Sequence, residues 1–395
     1  MANKNIDEHE VDEWFSEESD EVESSSTSSS TPTQSIEDKF SISQLKVIRT
    51  SMDFTLHHLK QSLEDDDYIN AAPKYQRRHR WDIRKRSQLI ESFLMNIPVP
   101  PIFLYENDYN QYEIMDGRQR IDTLRSFMNN EFPLRGLEFW DELDGKRFSD
   151  LPSIIQRGLS RRTINAVVLL AETNSYSDDD IDIRKILFKR LNTGGVQLNP
   201  QELRNALYPG KFNELVSRLS RTDLFTNAWG IPRKTSNEEN DPSPELLKNT
   251  LFRSMADCEL VLRFFGIRKL ITEGTLGSLR KVLDKTAKAY QKLDDSGVQD
   301  LERIFMTSLD GLHHIFKDDL FVMPATGKLS RPLYDAFMVA YSLIDPSSIA
   351  HHEKIKSSLA QIKPDTSNYD ILIGKGNTTE AIRERVELAR SILTQ

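Results

Sequence analysis

Five consecutive residues, Asp116-Gly117-Arg118-Gln119-Arg120, put a carboxylate, a glycine, two guanidinium groups and an amide within about one turn of chain. That set suits an anion, and a phosphate above all. The first N–H groups of a helix lack internal partners and sit at the positive end of its dipole. Asp116 adds an oxygen that could hold a divalent metal or orient a water. The flanks supply the elements that must position these groups. Ile114 and Met115 end a short apolar strand, and Ile121, Leu124, Phe127 and Met128 recur at the spacing of one buried helix face. The same residues also read as a plain helix start, with Asp116 as N-cap and Gln119 as its capping-box partner. Spacing alone leaves both readings open. The position of Arg120 favours function. It falls beside Leu124 and Phe127, and a part-buried guanidinium requires an anionic partner.

A second chemical segment precedes it. Residues 73–86 hold Lys74, Arg77, Arg78, Arg80, Arg84, Lys85 and Arg86, seven basic residues of fourteen, with Tyr75 and Trp81 between them. Bases attract phosphate and aromatic rings stack on nucleobases, so this run reads as a DNA contact. The alternative is a solvated helix start in which Trp81, Leu89, Ile90 and Phe93 face a core. A third segment closes a helix over 181–191 with Asn192-Thr193-Gly194-Gly195, a loop able to form an anion nest. A new helix then starts with Asn199 as N-cap, Pro200 in its first turn and Glu202 as capping-box partner. Here too a simple helix end and turn is an open alternative.

The connecting elements alternate. A strand-like opening near 40–48 leads to a helix through Leu59 and Leu63. Pro98 to Pro101 stop the helix over 87–97, and a hairpin joins 102–105 to 112–115. A helix over 151–158 is followed by a strand over 163–170. Beyond about 210 the pattern is helical, with helices expected at 211–220, 245–265, 276–295, 297–316, 331–343, 350–361 and 378–394. The paired histidines His313-His314 and His351-His352 lack metal-ligand spacing and read as surface or packing residues.

Net charge is −9 over 395 residues. Residues 1–40 carry twelve acids against two lysines, so the remaining 355 residues are close to neutral. That first stretch, acidic and then Ser-rich, reads as a disordered tail, with Trp14-Phe15 as a candidate anchor and the chain's own basic groove as a candidate resting place. There is no apolar run of membrane length and no signal-peptide pattern, and the one cysteine, Cys258, excludes a disulfide scaffold. A cytoplasmic protein is expected.

At Tyr75-Gln76-Arg77, Asp116 to Arg120 and Arg190-Leu-Asn192-Thr193-Gly-Gly195…Glu202-Leu-Arg204-Asn205, the chain resembles the ParB/sulfiredoxin-like domain of GmrSD-type modification-dependent restriction enzymes and SspE-like defence proteins. The resemblance runs from about 45 to 265. It implies an α+β fold: a mixed α/β core at 41–208, then a mainly helical domain at 209–395. It also implies a cytoplasmic role in anti-phage defence, with NTP hydrolysis and DNA binding. Carried over by position, Asp116, Gln119 and Arg120 are catalytic, with Asp116 on a magnesium ion. Gly117, Arg118, Tyr75, Gln76, Arg77, Arg190, Asn192 and Thr193 bind the nucleotide. Lys74, Arg78, Arg80, Arg84, Lys85 and Arg86 are left for DNA. Two positions depart from the family pattern, Arg118 for a glutamine and Asp122 for a threonine. Residues 270–395 show no arrangement of the family's nuclease module, so a partner defence protein or nuclease is expected, and self-association is allowed. The alternatives are a DNA-binding module without turnover and a metal-dependent nicking nuclease.

Overall fold

The mixed sheet and the helical bundle expected from the sequence form two separate units in the computed structural model, which describes residues 6–17, 48–65, 68–70, 81–170, 187, 190, 199–236, 238, 242–274, 278–364, 366–374 and 378–394. The division falls between Leu198 and Asn199, and the first described helix, α1 (Glu8–Glu17), goes with the second unit.

The first unit is built on β1 (Arg49–Thr55), α2 (Leu56–Ser62), β2 (Ile69–Asn70), α3 (Ile83–Leu94), β3 (Ile102–Asp108), β4 (Gln111–Asp116), α4 (Arg118–Met128), α5 (Ser153–Arg161) and β5 (Thr163–Leu169). Strand order is β1-β5-β3-β4-β2. β1 runs antiparallel to β5 and β4 antiparallel to β3, whereas β3 pairs with β5, and β2 with β4, in parallel. Side chains alternate along β5. Ile164, Ala166 and Val168 are buried while Thr163 and Asn165 are exposed, the period-two signature of a strand with one wet face. The buried face meets Leu59, Ile90, Phe93, Ile121, Phe127 and Leu159, so the four helices share one core with the sheet.

The register places the site. Phe103 of β3 pairs with Asp116 of β4, so β4 ends where β3 begins. β5 is parallel to β3 and starts at the same end of the sheet. That end holds Gly117, Ile102 and Thr163.

The second unit is helical: α6 (Pro200–Leu207), α7 (Lys211–Leu219), α8 (Asp223–Trp229), α9 (Pro244–Lys248), α10 (Thr250–Arg253), α11 (Ala256–Glu273), α12 (Leu279–Tyr290), α13 (Asp295–Phe316), a two-stranded hairpin of β6 (Val322–Met323) and β7 (Lys328–Leu329), α14 (Arg331–Tyr341), α15 (His352–Ala360), α16 (Ser367–Ile373) and α17 (Thr379–Thr394). α11 is buried for most of its length and forms the centre, with α7, α12, α14 and α17 packed on it. Inside it, Arg263 is ion-paired with Asp335 of α14, both side chains being 1% exposed. Among the described residues no helix is long and apolar enough to cross a membrane.

One expectation needs correction. Residues 8–17 are a helix, not part of an unstructured tail. Val11, Trp14 and Phe15 recur at i, i+3 and i+4 and are buried in the second unit. Trp14 meets Trp229 edge-on at 6.0 Å, and Arg331 donates Nη1 to the Trp14 carbonyl at 3.0 Å. Acidic composition conceals this short apolar stripe. The rest of the expected tail, 18–40, lies outside the described residues.

Candidate phosphate-binding site

The Asp-Gly corner forms, but not as the expected capping box. The N-cap of α4 is Gly117, at φ +91°, and no side chain caps the helix. That left-handed turn leaves Asp116 as the last residue of β4, one position too early to reach the helix N–H groups. Its Oδ2 instead accepts from Arg120 Nη2 at 3.0 Å. The same nitrogen donates to the Pro101 carbonyl at 3.0 Å, so Arg120 ties the end of β4 to the start of β3. Its side chain is only 15% exposed, and Nε is buried with no hydrogen-bond partner among the described residues. The part-buried arginine that the spacing calls for is thus present, and it has a carboxylate partner. Gly117 cannot be replaced freely, because a Cβ there would lie 2.6 Å from Ile102 Cγ2 and 3.0 Å from Arg120 Nη2.

Gln119 does not cap either. Its Oε1 accepts the Trp81 N–H at 3.2 Å, which fastens the chain leaving the basic segment to the first turn of α4. Arg118 pairs with Asp122 one turn on, Nε to Oδ2 at 3.4 Å. The corner therefore contains two arginine–aspartate pairs rather than two free cations.

Of the basic segment, Arg84 and Lys85 are exposed in the first turn of α3, which Asp82 caps by accepting from Lys85 N at 2.9 Å. Arg86 lies over the Phe132 ring, 3.8 Å from its centroid, so part of that cation serves packing. Trp81 packs on the core, which favours the packing reading of this aromatic over base stacking. Tyr75, Gln76, Arg77, Lys74, Arg78, Arg80, Asn192 and Thr193 lie outside the described residues, and Arg190 is exposed. The helix start at Asn199 forms as expected, with both arms of the capping box made. Glu202, Arg204 and Asn205 of that motif belong to the second unit. Arg204 is 2% exposed, 2.9 Å from Asp284 and 3.7 Å from Glu259, so this part of the motif holds helices together.

A magnesium ion here would meet a single protein carboxylate and would take its other ligands from nucleotide phosphates and water. Asp116 offers one carboxylate, one oxygen of which is taken by Arg120, and no group of three or more His, Cys, Asp or Glu able to hold a metal occurs among the described residues. A nicking nuclease, which would need such a group, gains no support from them.

One structural carboxylate escapes the sequence reading. Glu91 on α3 is 4% exposed and accepts from the backbone N–H groups of Glu138, Phe139 and Trp140, at 2.7 to 3.0 Å to Oε1. An acid beside the apolar stripe Leu89-Ile90-Phe93 is the signal that could have exposed it.

Fold and corner together define a small mixed α/β domain, followed by a helical one, with a strand–Gly–helix corner at one sheet end. Residues 55–209 match the model of the GmrSD restriction endonuclease N-terminal domain, so this part of the chain is similar to that domain. No curated protein and no solved structure matches the chain.

Proposed function

We propose that the protein is a nucleotide-hydrolysing, DNA-associated component of restriction-type anti-phage defence, with NTP phosphates seated at the Asp116–Arg120 corner. The observation that carries this reading is Arg120. It is held between Asp116 and the Pro101 carbonyl at the start of α4, and its buried Nε has no hydrogen-bond partner among the described residues. Phosphoryl transfer calls for positioning and charge stabilisation more than for covalent chemistry. In this reading Arg120 takes the charge that develops on the phosphoryl group, Asp116 fixes its direction and orients the attacking water, and Gln119 keeps Trp81 against α4. Exposed Arg84 and Lys85 contribute to DNA attraction.

The test is phosphate release from each of the four NTPs, with magnesium and with or without DNA, for wild type, Asp116→Ala and Arg120→Ala. Turnover in wild type and its loss in both variants is the expected result. Full turnover in either properly folded variant would remove the corner from the chemistry.

A second reading, a DNA-binding module without turnover, is favoured by the pairing of both arginines at the corner. Their charges are offset, and Asp116 is engaged. In the same assay it expects nucleotide or DNA binding with no phosphate released.

A further inference from the structure

A cavity of about 890 Å³ opens in the first unit, at the sheet end where β5 begins, and none of the corner residues lines it. Its size falls within the range of small-ligand sites, roughly 300–1,000 Å³. One wall is α5, which presents Ile154, Arg157, Gly158 and Arg161 along one stripe; the facing wall is the turn Asn96–Val99 after α3. Asp53 of β1 and its paired residue Asn165 of β5 also line the cavity.

The charges here are not balanced. Arg162 is engaged through all three nitrogens, donating to the carbonyls of Phe93 at 3.0 Å and Leu94 at 3.5 Å and to Asn96 Oδ1 at 2.8 Å, so it serves as a strut. Asp53, the one carboxylate in the lining, accepts from Asn165 Nδ2 at 3.0 Å. Arg157 and Arg161 are exposed and have no ionic or hydrogen-bonded partner among the described residues. They stand four residues apart on one helix face, with Cβ atoms about 5–6 Å apart, so each can take a different phosphate of one strand. The rim is apolar. Ile154 is 73% and Ile97 48% exposed, an arrangement that wastes surface unless something flat covers it.

We propose that this groove binds single-stranded nucleic acid, its phosphates on Arg157 and Arg161 and its sugar and base faces on Ile97 and Ile154. Paired guanidiniums beside apolar surface match a single strand better than a duplex, whose base faces are stacked away. The proposal shares with the reading above only the premise that nucleic acid is a ligand. It uses different residues.

The experiment is fluorescence anisotropy of the full chain with a labelled single-stranded DNA 12-mer across a salt series. Three proteins are compared: wild type, the double variant Arg157→Ala/Arg161→Ala, and Gly158→Glu. The last places a carboxylate beside the arginines, at a position where an added Cβ meets nothing within 4 Å. Expected are unchanged melting temperatures and strand affinity at least about tenfold weaker in both variants. The double variant should also show a log–log salt slope shallower by about 1.4, at about 0.7 for each phosphate no longer neutralised. The proposal is overturned if wild type does not bind the strand or if either variant binds as wild type does. It is also overturned if the loss is confined to duplex DNA or to free ATP, measured in parallel. Turnover lost in Asp116→Ala with strand binding retained concerns the corner alone. Absence of turnover in every protein with the groove result intact would remove the NTPase reading and leave the groove standing.

Discussion

Arg118 and Asp122 pair across one turn of α4, Nε lying 3.4 Å from Oδ2, with Arg125 Nη2 a further 4.0 Å from the other oxygen. These are the two positions where the motif departs from the pattern it resembles, with arginine for glutamine and aspartate for threonine. The departures therefore compensate: the added cation arrives with its own anion. An i,i+4 pair that is partly exposed stabilises the helix by only about 0.3–0.5 kcal/mol, so its main effect is on the field at the corner. Replacing Asp122 with Thr removes this anion from beside Arg118. Triphosphate affinity should rise several-fold at low salt, with the gain shrinking as ionic strength increases. Titration of a fluorescent nucleotide at two salt concentrations measures this. Unchanged affinity at low salt would show that Arg118 does not face the phosphates.

Gly117 carries two constraints at once, a left-handed φ of +91° and the close approach of Ile102. Gly117→Ala should cost about 1–3 kcal/mol, since a non-glycine residue at such a φ is strained and the clash adds to it. Denaturant unfolding of the variant measures the loss. A stability equal to wild type would mean that β4 and α4 can shift apart without cost.

Glu91 serves as the acceptor for three consecutive backbone N–H groups of the 138–140 loop. Hydrogen bonds to a charged group contribute about 1.5–3 kcal/mol each, and orphaned buried donors add a penalty. Glu91→Ala should therefore destabilise the protein by at least about 3 kcal/mol. Glu91→Gln, with one acceptor oxygen left, should lose less. Melting curves of the two variants rank them, and equal melting temperatures for Ala and wild type would rule out the role.

Hydrophobic spacing was enough to foresee the hairpin of β3 and β4, the strand at β5, α4 and most helices of the second unit, because each buries one periodic face. Pairing order was not legible. Neither the β1–β5 pairing nor the parallel β3–β5 contact leaves any local mark in the sequence. At the corner, residue types pointed to the right place and to the buried Arg120. The capping box was misread because an Asp before Gly looks the same whether it caps the helix or ends the strand. Only the φ of Gly117 separates the two. Arg157 and Arg161 went unnoticed for a similar reason. Two arginines four apart on a helix are ordinary until their lack of an ionic partner among the described residues and the cavity beside them are seen together.

Helix α1 offers a pH-sensitive attachment. Glu10 lies near Lys328 and Arg331, with Asp7 just before its own helix and Glu13 on it. Burial foremost, and then the charge of Asp7, raise its pKa above 4.5, outweighing the two cations. A carboxyl group with a raised folded-state pKa favours folding when protonated. That contribution is complete below the unfolded value and is lost as pH rises through the folded one. Docking of α1 should therefore be firmer near pH 4.5 than at pH 7.5. Glu10→Gln should remove the difference by making the pH 7.5 state as firm as the acidic one. Amide exchange of residues 8–17 reads this locally, with protection expected to rise roughly a few-fold in the variant at pH 7.5 and to match wild type at pH 4.5. Equal protection of the two proteins at both pH values would show that Glu10 is solvated in the docked helix. Less protection in the variant would show that the ionised carboxylate, through Lys328 and Arg331, helps to hold α1 in place.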